Sequence, residues 1–477
     1  MEKRSSRSPL KGGGIILAAA WTVLFLAGCV GSEDTSSPAS QITINSPAAI
    51  AQRSAANYNN NVNGLITGAT LKRWKDDWVN QRPAGITGKL VILQVSAGPA
   101  GAEYVMPNGT NVLTYLSPGS EWIQTRSNGV ISTQSMVPDG ASMDALLQKY
   151  AIDPHNDMIV VAMGTGSTGN AMGQGRVWYA LRYWGVAAKN LALLNGGNDW
   201  QVTNASMVAG DFTVTASTPP GNGTASVRTL LEDNTALQAT VEDMLAVLPA
   251  ADTNVLNDGV FIWDARSVSQ YSAGEDNGAG APVADYMTTF QNSGSRQGHP
   301  RGALQLDFTN MLVPTEGWRY KNRADLQAYL DGNVSGAGFI DGTYQAVGVG
   351  NAYQPGDVIY TYCETTFRAM ITGVASTVIL GKPTRFYDGA MVEWNSLSYL
   401  QDATGNYILP IDSPWRTDSV SFFRAATDPN RIGTRVITDA YASHADAIVS
   451  ADRAYKVSGS ASSGGGGSVL PPNPCGG

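Results

Sequence analysis

Cysteine and histidine are scarce in this sequence, which narrows the chemistry that it can carry. The 477 residues include three cysteines and three histidines. These numbers are too small for a disulfide scaffold or a cysteine-rich zinc site. No histidine lies three to five residues from another histidine or from a cysteine, so a metal site of these residues is not expected. We also expect no bound cofactor.

The chain also lacks an excess of positive charge. Its formal net charge is −8 at pH 7, and the N-terminal residues 1–11 hold four of its basic side chains. Nucleic-acid binding is not expected, because phosphate recognition requires a basic surface. With 43% hydrophobic and 15% charged residues, the sequence predicts a large buried core rather than disorder.

The N-terminus has the pattern of a secretory signal. A basic segment at residues 1–11 is followed by a largely apolar one at 12–26, and then by Leu26-Ala27-Gly28-Cys29. These four residues resemble the bacterial lipoprotein box, which implies cleavage before Cys29 and its lipidation. The apolar run is short for a membrane span. Val30 follows the cysteine, so we expect an outer-membrane lipoprotein, on the periplasmic or the surface face.

Apolar runs alternate with helical patterns along the rest of the chain. Buried strands are predicted at 89–95, 158–163, 191–194, 259–263, 357–362 and 384–387, and helices at 141–150, 176–184 and 368–380. This alternation is typical of parallel α/β sheets. Residues 158–200 align weakly with 357–394, which predicts two copies of one domain.

The predicted boundaries follow from these patterns. We expect a signal peptide at 1–28, a tether at 29–60, a first domain at 61–215, a linker at 216–255, a second domain at 256–405, an extension at 406–456 and a disordered tail at 457–477.

The residue best placed for chemistry is Cys363, in the run Cys363-Glu364-Thr365-Thr366-Phe367-Arg368 between a predicted strand and a helix. Backbone N–H groups of such a loop, with the N-terminus of the following helix, lower a thiol pKa and stabilise an anionic sulfur. Ligands of open α/β sheets also bind at the carboxyl ends of strands. The alternative is a buried structural cysteine.

Several segments resemble, in order and spacing, the motifs of rhodanese (sulfurtransferase) domains. In the second half they are Asp264-Ala265-Arg266-Ser267 with Tyr271, residues 298–303, residues 362–369, and Tyr387-Asp388-Gly389 with Glu393-Trp394. In the first half, residues 176–178, 183–185 and 194–197 with Trp200 resemble the inactive amino-terminal domain of tandem rhodaneses. The resemblance spans most of 90–394. It implies an α/β fold of two tandem rhodanese-like domains, each a mainly parallel sheet flanked by helices.

The resemblance also implies a mechanism and a set of roles. In that family the cysteine of the carboxy-terminal domain takes a sulfane sulfur from a donor, becomes a persulfide, and yields the sulfur to a thiol or a cyanide-like acceptor. Cys363 and Arg368 would then be catalytic. The substrate-binding residues would be Glu364, Thr365, Thr366, Phe367 and Gln270, and the structural motif residues Asp264, Arg266, His299 and Asp388.

The loop departs from its relatives in two informative ways. It reads Cys-x4-Arg, one residue shorter than the loop of phosphatase relatives, so phosphate chemistry is not expected. Thiosulfate-type members carry basic residues where this chain has Glu364, Thr365 and Gln270, and Glu364 would repel a dianion. We expect a neutral or polymeric sulfur species, or a protein persulfide, as donor. Thr366 stands where glycine is frequent, so a different loop backbone is expected.

Three interpretations stay open from the sequence. The first is an envelope lipoprotein sulfurtransferase. The second is a non-catalytic scaffold lipoprotein with envelope protein partners, and the third is a thiol-based role with selenium, tellurium or polysulfide species. Cys475 could serve as a second thiol or be incidental. The first domain carries a Gly-x-Gly-x-x-Gly run at 164–169, which is the pattern of a dinucleotide-binding loop. The next strand ends in Asn195 rather than in an acidic residue, so nucleotide binding is not expected. We expect the first domain to form one wall of the cleft at Cys363.

Overall fold

Two five-stranded parallel sheets with the same strand order organise the chain in the computed structural model. The structure describes residues 42–128, 132–272, 298–397, 400–401, 403–406, 435–436 and 447–458. Cys29, Cys475, the predicted signal peptide and nearly all of the predicted tail lie outside these residues. Among the described helices, none is long and apolar enough to cross a membrane.

The strands are β1 (Thr43–Ile44), β2 (Gly64–Ile66), β3 (Leu90–Gln94), β4 (Tyr104–Val105), β5 (Val112–Leu116), β6 (Gln124–Ser127), β7 (Ser132–Met136), β8 (Met158–Ala162), β9 (Leu191–Leu194), β10 (Phe212–Thr213), β11 (Glu232–Asp233), β12 (Gln238–Ala239), β13 (Val260–Asp264), β14 (Leu304–Gln305), β15 (Leu312–Val313), β16 (Arg319–Tyr320), β17 (Val358–Tyr362), β18 (Thr384–Tyr387), β19 (Leu400–Gln401) and β20 (Arg435–Val436).

The α-helices are α1 (Pro47–Ile50), α2 (Gly68–Asp76), α3 (Trp78–Gln81), α4 (Gly140–Lys149), α5 (Thr168–Tyr183), α6 (Asn198–Thr203), α7 (Val241–Val247), α8 (Val268–Tyr271), α9 (Arg323–Leu330), α10 (Phe367–Val374), α11 (Ala390–Leu397) and α12 (Ala447–Val457). A π-helical turn at Ala375–Ile379 continues α10. Short 3-10 helices lie at Gly119–Trp122, Ala188–Asn190, Ala209–Asp211, Val227–Thr229, Thr235–Leu237, Phe308–Met311 and Pro314–Glu316.

The first sheet has the order β2-β9-β8-β3-β5 and the second the order β12-β18-β17-β13-β14. Every neighbouring pair within them is parallel. If the strands of each sheet are numbered along the chain, both sheets have the order 1-5-4-2-3. The prediction of a repeated parallel α/β domain is therefore confirmed, and all six predicted strands are present within a residue or two. β8 and β17 are the middle strands, and both are almost entirely buried, as their apolar sequences require.

The helices α5 and α10 pack against each other between the two sheets. A Cβ atom on Gly175 of α5 would lie 2.8 Å from the Cβ of Met370 in α10, so the glycine permits the close approach. The helix α5 starts eight residues before the predicted helix at 176–184. The helix begins at Thr168, where the Ser167 side chain accepts a hydrogen bond from the Asn170 N–H at 3.1 Å and caps it.

The predicted tether and linker both contain packed structure. Within the tether, residues 42–60 include α1, whose Ile50 is fully buried, and the Tyr58 hydroxyl donates to the Lys321 carbonyl at 2.6 Å. Within the linker, β12 pairs with β18 and so forms the edge of the second sheet. The apolar side chains of these two segments complete the core and edge of the domains.

The predicted extension ends in a helix that packs on the first domain. In α12, the Asp452 carboxylate accepts two hydrogen bonds from Arg126 of β6, at 2.7 and 2.8 Å, and one from the Tyr183 hydroxyl. Lys456 donates to the carbonyls of Trp184 and Glu232. Burial lowers the pKa of Lys456 to about 8. The last described helix of the chain is thereby fixed beside the β6–β7 hairpin.

Candidate active site around Cys363

Cys363 lies directly after β17, at the carboxyl end of the middle strand of the second sheet. It is 1% exposed and packs with Ala265 and Ala369, with Phe308 alongside. The start of α11 holds its backbone, because Met391 N–H donates to the Cys363 carbonyl at 3.1 Å. The single described cysteine therefore occupies the position where parallel sheets present functional groups.

The loop after Cys363 turns sharply at Thr366. This residue has φ of +67°, in the left-handed region that glycine adopts without strain. Its hydroxyl is within hydrogen-bond distance of the carbonyls of Tyr387, at 3.1 Å, and Asp388, at 2.9 Å. Threonine thus takes the conformation expected of glycine, and its side chain ties the turn to the end of β18. The expectation that the loop backbone differs from that of the relatives stays a prediction.

Four consecutive backbone N–H groups of this loop have no acceptor among the residues that the structure describes. They belong to Thr365, Thr366, Phe367 and Arg368, at the junction of the loop and the first turn of α10. Unpaired N–H groups at a helix start favour negative charge. The loop can therefore stabilise an anion beside the cysteine.

A buried ionic group lies beside this loop. Arg266 donates to both oxygens of Asp264, at 2.9 Å for Oδ1 and 2.5 Å for Oδ2, and the Tyr362 hydroxyl donates to the same carboxylate at 2.9 Å. Burial alone would lower the pKa of Arg266, but the adjacent Asp264 carboxylate outweighs it and the pKa is raised. The Glu364 carboxylate is also buried, 3.7 Å from Arg266 Nη1. Two carboxylates therefore share one guanidinium next to the cysteine.

Arg368 is half-buried, and its guanidinium group hydrogen-bonds to a neutral side chain. Its Nη1 donates to Oε1 of Gln270 at 2.6 Å, and Gln270 itself is buried at the end of α8. Thr365 and Phe367 are half-buried on either side of the Thr366 turn. The structure thus brings together the loop residues and Gln270, as the sequence predicted from separate segments.

His299 lies in a packing position rather than at the loop. Its ring stacks on Tyr271 with the centroids 3.7 Å apart, and its two nitrogens contact the Tyr271 carbonyl and the Asp252 carboxylate at 2.8 and 2.9 Å. Every polar atom of the ring is thereby engaged. The structural role that the resemblance implies for His299 stays a prediction.

The equivalent loop of the first domain carries no cysteine and is hydrogen-bonded to Asn170 at the start of α5. Met163 follows β8 where Cys363 follows β17, and Gly164 adopts φ of +74°. The Asn170 amide donates to Ser96 Oγ at 2.8 Å and to the Thr165 carbonyl at 2.6 Å. Chemistry at this loop is therefore not indicated, in spite of its Gly-x-Gly-x-x-Gly run.

The first domain contacts the cysteine loop through a buried ion pair. Arg176 of α5 donates to Asp388 at 2.6 Å, and the Val137 N–H, just after β7, donates to the same carboxylate at 2.7 Å. Asp388 also supplies one of the carbonyls near the Thr366 hydroxyl. The ion pair between the domains therefore adjoins the turn that follows Cys363.

A second link of this kind involves Glu393. Asn128, at the end of β6, donates to Glu393 Oε1 at 3.1 Å. Burial raises the pKa of Glu393 to about 7, with the nearby Asp388 charge adding to the effect. The sequence marked Arg176, Asp388 and Glu393 as motif residues. It gave no sign that they join the two domains, because their partners are remote along the chain.

No group of three or more metal-ligating side chains occurs within the described parts of the chain.

Comparison with known proteins finds similarity at the level of solved structures. No protein-family model matches the chain, and no curated protein does. Tum1 from Saccharomyces cerevisiae has a TM-score of 0.49 at 14% identity, over 70% of this chain and 95% of that one. SseA from Escherichia coli, described with the rhodanese fold and as a 3-mercaptopyruvate sulfotransferase, has a TM-score of 0.43 at 15% identity, over 69% and 98%. An anaerobic ergothioneine biosynthesis enzyme from Chlorobium limicola has 0.47 at 12%, over 69% and 67%.

Proposed function

We propose that this protein is a cell-envelope lipoprotein and a rhodanese-type sulfurtransferase, which moves a sulfane sulfur from a donor to a thiophilic acceptor through a persulfide on Cys363. The observation that carries the proposal is the loop itself. A lone buried cysteine at the end of β17 is followed by four backbone N–H groups without an acceptor among the described residues. Such groups stabilise an anionic sulfur without neutralising it.

The proposed reaction has two steps that balance without an added oxidant. The Cys363 thiolate attacks the sulfane sulfur of the donor, a bond to that sulfur breaks, and the rest of the donor leaves with the electron pair. A thiol or cyanide-like acceptor then attacks the outer sulfur of the persulfide. The S–S bond breaks and the Cys363 thiolate returns. The loop N–H groups bind the anionic sulfur in both states, and Arg368 adds fixed positive charge.

The charges near Cys363 favour a donor other than thiosulfate. Glu364 and Asp264 share Arg266, so the buried group next to the cysteine carries a net negative charge when both carboxylates are ionised. Gln270, which holds Arg368, is neutral. Glu364 would repel a dianion at this position. We therefore propose a neutral or polymeric sulfur species, and the burial of Cys363 favours it over a protein persulfide.

Mass spectrometry of the intact full chain tests the mechanism. The wild-type protein, Cys363→Ser and Cys475→Ser are each incubated with dispersed elemental sulfur or with thiosulfate, and then with cyanide. We expect a mass gain of whole sulfur atoms with elemental sulfur, reversed by cyanide and absent only from Cys363→Ser. An adduct lost only in Cys475→Ser would place the chemistry in the tail.

The burial of Cys363 also favours a second candidate function. A cysteine that is 1% exposed suits a non-catalytic scaffold that keeps the fold and binds other envelope proteins. In that case the folded, reduced protein would gain no sulfur from either donor. The same incubation therefore separates the two candidates.

Lipid attachment at Cys29 has its own test. Cells that express the full chain are labelled with radioactive palmitate, alongside Cys29→Ser. Label in the wild type alone, with fractionation into the outer membrane, would support the proposed anchor. Equal labelling of both would contradict it.

A further inference from the structure

A cleft lies at the carboxyl edge of the first sheet, and no residue of the Cys363 loop lines it. It has a volume of about 220 Å³ and is formed where the ends of β2 and β9 meet α6 and β16. Its lining includes Gly68, Asn195, Trp200, Gln201, Asn204 and Arg319. The cleft lies at the end of parallel strands, where ligands of α/β sheets bind.

Two buried amides at the base of the cleft have unused hydrogen-bonding atoms. Asn195 is 7% exposed; its Oδ1 accepts from the Tyr320 N–H at 2.8 Å, while its Nδ2 has no partner among the described residues. Gln201 is 1% exposed; its Nε2 donates to the carbonyls of Asn195 and Gly196, which leaves Oε1 without a described donor. The other atom of each amide is fixed by its hydrogen bonds. Asn195 Nδ2 and Gln201 Oε1 are therefore held in place as one donor and one acceptor.

Unused hydrogen-bonding capacity at buried amides requires an explanation. Polar atoms of buried side chains normally find an acceptor, a donor or water. Neither Asn195 Nδ2 nor Gln201 Oε1 is sealed from solvent. Both atoms can therefore bind a ligand that enters the cleft.

The lining also restricts the charge and polarity of that ligand. Arg319 is the single charged side chain among the lining residues, and it is already engaged by Glu316 and by the Tyr320 carbonyl. An anion would find no free counter-charge there. A purely apolar ligand would bury the amides unpaired. The ligand should be neutral and should carry both hydroxyl donors and acceptors.

The wall of the cleft adds an apolar face. The Trp200 indole is half-buried on α6, with the Arg319 guanidinium 5.8 Å from its ring centroid. An aromatic face of this kind packs against C–H groups while the amides reach hydroxyls. The small volume excludes an extended polymer within the cleft, since sites for drug-sized ligands measure roughly 300–1,000 Å³.

We propose that this cleft binds one neutral sugar ring, which packs against Trp200 and hydrogen-bonds to Asn195 Nδ2 and Gln201 Oε1. The ring is either a free monosaccharide or the terminal unit of a glycan. This site is separate from the cysteine loop, and the proposal does not depend on sulfur transfer.

Calorimetric titration of the full chain with glucose, galactose, mannose and N-acetylglucosamine tests the proposal. We expect millimolar binding of at least one of them, unchanged in Cys363→Ser. A disaccharide of the preferred unit distinguishes the two sources, because a glycan-end receptor should bind it at least as tightly as the monosaccharide. Absence of binding by all four sugars would overturn the proposal, as would binding of inorganic phosphate or glycylglycine in their place.

Three variants locate the site. Trp200→Ala removes the apolar face and should weaken binding about tenfold, the equivalent of about 1.4 kcal/mol. Gly68→Ala places a Cβ 2.2 Å from Gln201 Oε1 and should also reduce binding, because the amide must move. Asn204→Ala changes an exposed residue at the rim of the cleft, so its binding can be measured even if Trp200→Ala or Gly68→Ala fails to fold. Val202→Ala, an exposed position on α6 outside the cleft, is the matched control, and an equal loss there would refute the assignment.

Discussion

Replacing Glu393 with glutamine should remove a pH-dependent penalty from the folded state. Burial raises the pKa of Glu393 from 4.5 to about 7. A raised carboxyl pKa means that the folded state resists ionisation, whereas the unfolded chain ionises above 4.5. The stability linked to this group is complete below about pH 4.5 and is lost as the pH rises through 7.

The size of the effect follows from the shift. One pKa unit corresponds to about 1.36 kcal/mol, so a shift from 4.5 to about 7 costs about 3 kcal/mol once the buried carboxylate is ionised. Glutamine has nearly the same shape and can still accept the Asn128 hydrogen bond through its Oε1. Glu393→Gln should therefore leave stability nearly unchanged near pH 4.5 and increase it by up to about 3 kcal/mol near pH 8.5.

Urea unfolding of both proteins at these two pH values measures the difference directly. The comparison between variants at each pH cancels all other titrating groups. Glu242→Gln, on an exposed position of α7, serves as the control and should show no such change. If Glu393→Gln were equally or less stable than the wild type at pH 8.5, the account of a buried, costly carboxylate would be wrong.

Three further predictions concern packing around the same loop, each measured by urea unfolding. Thr366→Val keeps the left-handed strain but removes the hydroxyl and should cost about 1–3 kcal/mol, whereas Thr366→Gly should cost less because it removes the strain. Asp388→Leu leaves Arg176 buried without its partner and should cost about 3–5 kcal/mol, with much of this recovered in the double variant with Arg176→Met; no recovery would refute the pairing. Gly373→Ala places a Cβ 1.9 Å from Phe386 Cε1 and should destabilise by about 1–3 kcal/mol, while Gly169→Ala on α5, whose Cβ would meet only Ser167 Oγ at 3.9 Å, should not; equal effects would contradict the clash.

Local sequence patterns predicted the strands well, and the reason is burial on both faces. The apolar runs that became β3, β8, β9, β13, β17 and β18 have few other stable arrangements than the interior of a parallel sheet. The start of α5 was missed because glycines at 164–175 disfavour a helix in isolation. Packing against α10 and the Ser167 cap outweigh that preference.

The sequence likewise predicted one part of the candidate site and missed another. The order of motifs along the chain selected Cys363, its loop and Gln270 in advance, and the structure brings them together. The sequence did not show that Asn128, Arg176 and Glu393 join the two domains, because a domain interface depends on which faces of the domains meet. The sugar cleft was missed for the same reason, because Asn195 and Arg319 are 124 positions apart in the sequence.

The sequence by itself determined the elements, their repetition and the placement of the cysteine after a buried strand, because these depend on local apolar pattern and motif spacing. Only the tertiary structure decided how charge and hydrogen bonds are distributed around that cysteine. Arg266 serves two carboxylates, Arg368 is held by a neutral amide, and Thr366 adopts a left-handed turn. Each of these depends on contacts between residues distant in sequence, whose energies are fixed by burial and geometry rather than by residue type.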